Sequence, residues 1–200
     1  LSRIWRDRGI KNNLDYHFIV GNVASGENYK KLAYWYNVKG IRLCIGGGSA
    51  CTTTNSTGIY NNPINLLEEC KAEGLPLQFQ CLKIIDGAIK EPQDFCKSIA
   101  FGADCICLGN LIAACSDSPA QSVSKGGFKY KKYRGSASFE IQQLYKNEPK
   151  YIEGTYKLLE ITETIEQLIK RFHDGLRSSM SYFNAKNIEE YRKNFNFIKI

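Results

Sequence analysis

One pattern governs the first half of the sequence. A short apolar run of β-forming residues ends at glycine or a small polar group, and an amphipathic stretch follows. His17–Gly21 is the first such run, with a helix expected over Gly26–Tyr36. Gly40–Ile45 is the second, closing on Gly46-Gly47-Gly48, and a helix follows over Pro63–Glu73 with Asn61 or Asn62 as its cap. Gln80–Ile85 precedes a helix over Pro92–Phe101, and Asp104–Leu108 precedes a short helix through Ala114. Strands alternating with helices at about 25 to 40 residues per unit predict parallel βαβ units. Ser178–Ala185 is a fifth strand candidate, between a helix capped by Thr162 or Thr164 and a last helix over Asn187–Phe195. Five strands are too few for a closed eight-stranded barrel, which needs about 250 residues. The choice lies between an open doubly wound sheet and part of a barrel.

The rhythm breaks at Ser116. Residues 117–154 are polar and glycine-containing and read as a lid or flap inserted after a strand. Within them, Gly126–Gly135 interleaves aromatics with bases. Such a segment can be a platform for single-stranded nucleic acid, or a lid or hairpin that brings Tyr133 to a phosphate. The net charge of +7 is a thin electrostatic footprint, so no nucleic-acid partner is expected. No run of 18 apolar residues is present, which speaks against a membrane-spanning helix. Eight cysteines lie mostly in apolar runs with no Cys-x-x-Cys pair, pointing to free thiols in a reducing, cytoplasmic setting rather than a zinc site. Leu1 stands where a methionine is usual, and the sole methionine is Met180, which suggests a processed chain or a piece of a longer one.

Three strand ends carry residues suited to chemistry. In Cys44–Thr54, three glycines let backbone approach a ligand, Ser49 and nearby amides can hold a phosphate, and Cys51 sits where α/β sites form. A thiolate there is a nucleophile if nearby amides or cations lower its pKa. The plain alternative is a buried cysteine in a glycine turn. Asp86, before Gly87-Ala88, can accept from the vicinal hydroxyls of a ribose, or can simply cap a turn. Gly109-Asn110 opens a helix whose amides suit an anion. His17 and His173 have no metal-ligand spacing and read as structural.

Gly21–Glu27, Gly46–Thr53, Asp86-Gly87, Gly102–Asp104 through Gly109, Lys132–Gly135 and Gly175–Ser178 occur in an order that resembles the IMP dehydrogenase / GMP reductase family. The resemblance covers nearly the whole chain and implies a (β/α)8 TIM barrel, of which residues 1–200 form one incomplete domain supplying about the last five strands. It further implies a homotetramer, or a complementing chain that brings the missing strands. By the same resemblance, Cys51 attacks C2 of a purine nucleoside monophosphate, Thr53 assists, and hydride moves between C2 and a nicotinamide, NADPH or NAD. Ser49, Gly87, Ala88, Gly109, Asn110 and Tyr133 surround the 5′-phosphate, and Asp86 takes the ribose. Gly135, Ser136, Ala137 and Glu153 line the base, and Asn22 and Arg42 lie on the nicotinamide side. Backbone carbonyls of Gly46, Gly48 and Cys51 hold a potassium ion.

The chain departs from the family pattern at Cys44 and Ala88, where glycines are usual. Further departures are Thr54 for arginine, Asn110 for serine, and the stretch Gly135–Ser138. About a dozen residues separate Glu140 from Glu153, and no Arg-Tyr pair lies at the proper distance; Lys150-Tyr151 is the nearest. A dehydrogenase needs such a pair to activate water, so the short lid favours reductive deamination of GMP to IMP over oxidation of IMP to XMP. Phe139 falls where the reductase carries its catalytic glutamate, and Glu140, one residue on, is the expected substitute. Lys132–Gly135 and Ser118-Pro119 look more like the dehydrogenase. A purine-nucleotide-binding or assembly subunit without turnover is the third reading.

Overall fold

The computed structural model describes residues 16–145, 152 and 154–196. Four parallel strands form one sheet in sequence order: β1 (Phe18–Val23), β2 (Val38–Leu43), β3 (Leu82–Asp86) and β4 (Cys105–Cys107). Helices α1 (Gly26–Ala33), α3 (Pro63–Ala72) and α4 (Pro92–Ala100) connect them. A short α2 (Thr53–Thr57) also precedes α3, and α5 (Asn110–Ala114) follows β4. The expected βα alternation is therefore present, as a partial (β/α) barrel.

Local chemistry sets the helix ends. The Ser25 side chain accepts from the Asn28 amide at the start of α1, and Asn62 accepts from the Ile64 amide ahead of Pro63. Gly26 is required by packing: a Cβ there would lie 2.8 Å from the Glu69 backbone of α3. Its amide donates to Glu69 Oε2 at 3.0 Å. Helix α1 stops at Ala33, short of the expected Tyr36, and Asn37 turns left-handed at φ 58° before β2.

One face of the sheet is closed. Ile41, Leu43 and Ile85 are fully buried with Leu66, Leu67 and Phe172 in the main core. A second core joins Ile99 and Tyr191 to Leu176, Met180 and Phe183.

The described part of the expected insertion contributes to an antiparallel sheet. Strands β5 (Ser122–Lys125) and β6 (Phe128–Arg134) form a hairpin, and β7 (Tyr156–Glu160) pairs with β6 on its other side. Gly126 and Gly127, at φ 60° and 82°, make the two-residue turn that matches strand twist. Buried Lys131 ties the unit down by donating from Nζ to the carbonyls of Ser118 (2.9 Å) and Ala120 (3.4 Å). Helix α6 (Phe139–Tyr145) follows β6.

The fifth strand candidate is corrected. Ser178–Tyr182 is the end of α7 (Ile165–Tyr182), and the described parallel sheet has four strands rather than five. Leu176, Met180 and Phe183 recur at helical spacing and pack into the second core. Thr164 caps α7 through a reciprocal pair with Gln167, and Asn187 caps α8 (Ile188–Asn194). All eight cysteines are free thiols. Among the described residues, no helix is long and apolar enough to cross a membrane.

Candidate active site

A cleft of about 630 Å³ opens where the parallel strands end. Its first wall is the segment after β2. Gly46, Gly47, Gly48, Ala50, Cys51 and Thr53 all line the cleft. Two loops lock together beneath it: Ala88 N–H donates to Gly47 O at 2.8 Å. A Cβ on Gly87 would come within 2.8 Å of Gly47 C, and Gly87 has φ 105°, so only glycine fits. Cys51 is partly exposed, and its thiol donates to Thr53 Oγ1 at 3.1 Å while accepting from the Thr53 amide at 3.4 Å. The sulfur is therefore held at the cleft rather than turned into the core.

Asp86, at the end of β3, lines the same cleft. Its Oδ2 accepts from Asn22 Nδ2 at 2.9 Å and is paired with Arg42. The same Asn22 amide also donates to Cys44 O at 2.9 Å. Asn22, Arg42 and Asp86 thus form one cluster across β1, β2 and β3.

The second wall comes from the antiparallel unit. Tyr133, Arg134, Gly135, Ser136 and Ala137 line it. The Tyr133 hydroxyl lies 2.6 Å from where a Cβ on Gly109 would stand, so Gly109 leaves the space that Tyr133 fills. Burial first, then the charges of Asp86 and Cys51, pushes the Tyr133 phenol up from its ordinary value. The two walls are stitched together. Thr155 N–H donates to Ala50 O and Gly135 N–H donates to Thr155 O, each at 3.0 Å, while Gly154 bridges Cys51 and Ser138.

The expected residues fall into groups. Asn22, Arg42, Gly46, Gly48, Cys51, Thr53, Asp86, Tyr133, Gly135, Ser136 and Ala137 share the cleft. Ser49 stands between lining residues Gly48 and Ala50 but outside the lining itself, with a buried Oγ that has no hydrogen-bond partner among the described residues. Gly87 and Ala88 support the glycine loop from below, and Gly109 and Asn110 open α5 behind Tyr133. Glu140 is not brought to the thiol. It lies outside the cleft lining, and Lys132 holds its Oε1 at 2.9 Å with Arg134 3.9 Å from Oε2. Lys132 on neighbouring β6 holds one carboxylate oxygen, while Oε2 is buried without a hydrogen-bond partner among the described residues. Glu153 lies outside the described residues.

Residue-type reasoning did not single out Ala50, Arg134 or Ile141 as cleft-lining. Ala50 and Ile141 carry no functional group, and Arg134 looked like one base among several. Two departures from the family pattern acquire a physical meaning: Cys44 has φ 80° and Ala88 has φ 62°. Both occupy the left-handed region that glycine adopts without penalty. Burial also pushes the Cys44 thiol up to about 12, with the Asp86 charge adding to it.

Comparison with known proteins agrees with this geometry. A model of the "IMP dehydrogenase / GMP reductase domain" matches residues 5–200. The chain belongs to the IMP dehydrogenase / GMP reductase family. It is 34% identical over 187 residues to a GMP reductase of Staphylococcus aureus, covering 92% of this chain and 54% of the relative. It is 30% identical over 195 residues to an inosine-5′-monophosphate dehydrogenase of Chlorobaculum parvum, covering 91% of this chain and 39% of the relative. Among solved structures, a cysteine-to-alanine variant of Trypanosoma brucei GMP reductase in complex with guanosine 5′-monophosphate has a TM-score of 0.80 and 27% identity. That match covers 92% of this chain and 38% of the neighbour. The chain thus spans about half or less of the length of these relatives.

Proposed function

We propose that this chain carries the nucleotide side of an oxidoreductase site that reductively deaminates GMP to IMP with NADPH. One observation carries the reading: the Cys51 thiol, hydrogen-bonded to Thr53, shares a strand-end cleft with Asp86. The bound guanosine 5′-monophosphate of the Trypanosoma brucei relative supports a purine mononucleotide as the ligand.

In this reading Ser49, with its unpartnered hydroxyl, and Tyr133 bind the 5′-phosphate, behind which lie Gly87, Ala88, Gly109 and Asn110. Oδ1 of Asp86 accepts from the ribose hydroxyls, since Oδ2 is already engaged by Asn22 and Arg42. Gly135, Ser136 and Ala137 face the base. Cys51 forms a bond from sulfur to purine C2, and the bond from C2 to the exocyclic amine breaks. Thr53, which accepts from the Cys51 thiol, relays that proton to the amine, which leaves as ammonia. NADPH would be held on the side of Asn22 and Arg42, where it would supply the hydride that C2 gains as the carbon–sulfur bond breaks. The balance is GMP, NADPH and a proton giving IMP, NADP⁺ and ammonia. Holding thiol and nucleotide in line supplies much of the rate.

Carbonyls of Gly46, Gly48 and Cys51 are suited to a potassium ion by their all-oxygen chemistry. A Cβ on Gly46 would run into Thr54 Oγ1, so the loop that would carry these carbonyls leaves no room for a side chain there. Among the described residues no cluster of three His, Cys, Asp or Glu side chains is available to a metal.

GMP-dependent loss of NADPH absorbance, abolished in Cys51→Ala, tests the proposal. IMP-dependent formation of NADH would assign the dehydrogenase reaction instead. Thermal stabilisation by nucleotide without either signal would leave a binding subunit.

A further inference from the structure

The wall assigned to the base is a turn, residues 135–138, between β6 and α6. Ser138 N–H donates to Gly135 O at 3.0 Å, Gln142 N–H to Ser138 O at 2.9 Å, and Gln142 Nε2 to Ala137 O at 3.4 Å. Ile141 of α6 lines the same cleft as Gly135, Ser136 and Ala137. Side chains alternate along β6, so Lys131 and Tyr133 share one face, and Lys132 and Arg134 the other. Tyr133 stands against Gly109 on the cleft side. On the reverse side Lys132 Nζ donates to Glu140 Oε1 at 2.9 Å, with the two side chains 22% and 34% exposed. Arg134 Nε lies 3.9 Å from Glu140 Oε2, and Lys132 also sits over the Tyr156 ring, 4.4 Å from its centroid. Tyr156 pairs with Arg134 across β6 and β7 and so belongs to that same face. The ion pair therefore joins the strand before the base turn to the helix after it, and spans the turn from behind.

We infer that Glu140 is a positioning residue whose ion pair with Lys132 fixes the spacing of β6 and α6, and with it the shape of the turn that takes the purine base. The inference rests on the nucleotide reading above and adds to it a determinant of base recognition remote from the thiol. Glu140 lies outside the cleft lining, so it acts through Gly135, Ser136, Ala137 and Ile141 rather than by touching the ligand. The phosphate side is carried by other contacts: Ser49 follows β2, and Tyr133 packs on Gly109 from the opposite face of β6. A charge-assisted bond between two partly shielded groups is stronger than a fully exposed pair, and removing one partner leaves the other charge desolvated and unpaired. Loss of either partner thus loosens the base turn while the phosphate side keeps its contacts. A ligand with a base and a ligand without one should respond differently.

The test compares the affinity of the whole 200-residue chain for GMP and for ribose 5-phosphate, which lacks the base, by ligand-observed NMR. Wild type should bind GMP more tightly than ribose 5-phosphate. Glu140→Gln and Lys132→Met should each weaken GMP about fivefold and change ribose 5-phosphate by less than about twofold, so that the second ligand reports an intact fold. The double variant should bind GMP within about twofold of the weaker single variant, because both substitutions remove one interaction. Unchanged GMP affinity in the single variants would overturn the inference. So would equal losses for both ligands, which mark a general loosening of the fold, or losses that multiply in the double variant. A wild-type chain that binds neither ligand, or both equally, would instead overturn the nucleotide reading and take this inference with it.

Discussion

On one side of the cleft, Cys51 and Asp86 are carried by parallel strand ends and by two glycine loops whose backbones touch. On the other, Tyr133 and residues 135–137 are carried by an antiparallel hairpin, anchored through Lys131 and a few main-chain bonds from Thr155 and Gly135. The first wall allows almost no adjustment, because a single Cβ at Gly47 or Gly87 meets backbone at 3.0 Å or less. The second is held as closely at its base, where a Cβ on Gly135 would lie 2.9 Å from Ala50 O, whereas beside Gly109 the nearest atom is the far end of the Tyr133 side chain. The difference is in what fills the contact: backbone against backbone in the glycine loops, and a side chain, the Tyr133 phenol, beside Gly109.

Substitutions should separate the walls. Cys51→Ala removes the nucleophile and should lower turnover by about 10³-fold or more while nucleotide-induced stabilisation persists; unchanged turnover would refute the nucleophile. Gly87→Val forces a side chain into the Gly47 backbone at φ 105° and should cost about 2–4 kcal/mol by denaturant unfolding. If that loop could yield, the loss would fall below about 1 kcal/mol. Tyr133→Phe leaves the fold intact but removes a phosphate donor, so nucleotide affinity should fall about tenfold by calorimetry, close to the worth of one hydrogen bond. An unaltered affinity would detach the second wall from binding. Ala88→Gly relaxes a left-handed alanine and should raise stability by about 1 kcal/mol, read from the unfolding midpoint.

The parallel units were legible because their signals are local: apolar runs, glycine stops, and caps at Asn62, Thr164 and Asn187. The glycine loop and Asp86 were legible for the same reason. Strand β7 was not, since Tyr156–Glu160 is short and half-exposed and becomes a strand only by pairing with β6. Ser178–Ala185 misled because a few apolar residues fit either period, and only packing against Tyr191 shows the helical one. Glu140 misled because its neighbours in space, Lys132 and Arg134, come from another element. At Cys44 and Ala88 the sequence showed departures from a family pattern, and the backbone dihedrals supply the reason glycine is usual there.

The most direct test needs no turnover: alkylation of Cys51 by iodoacetamide, followed by peptide mapping with and without GMP, using exposed Cys105 as internal control. The account predicts that GMP slows labelling of Cys51 at least tenfold and leaves Cys105 unaffected. Equal labelling of Cys51 at saturating GMP would contradict the placement of this thiol against a bound purine nucleotide.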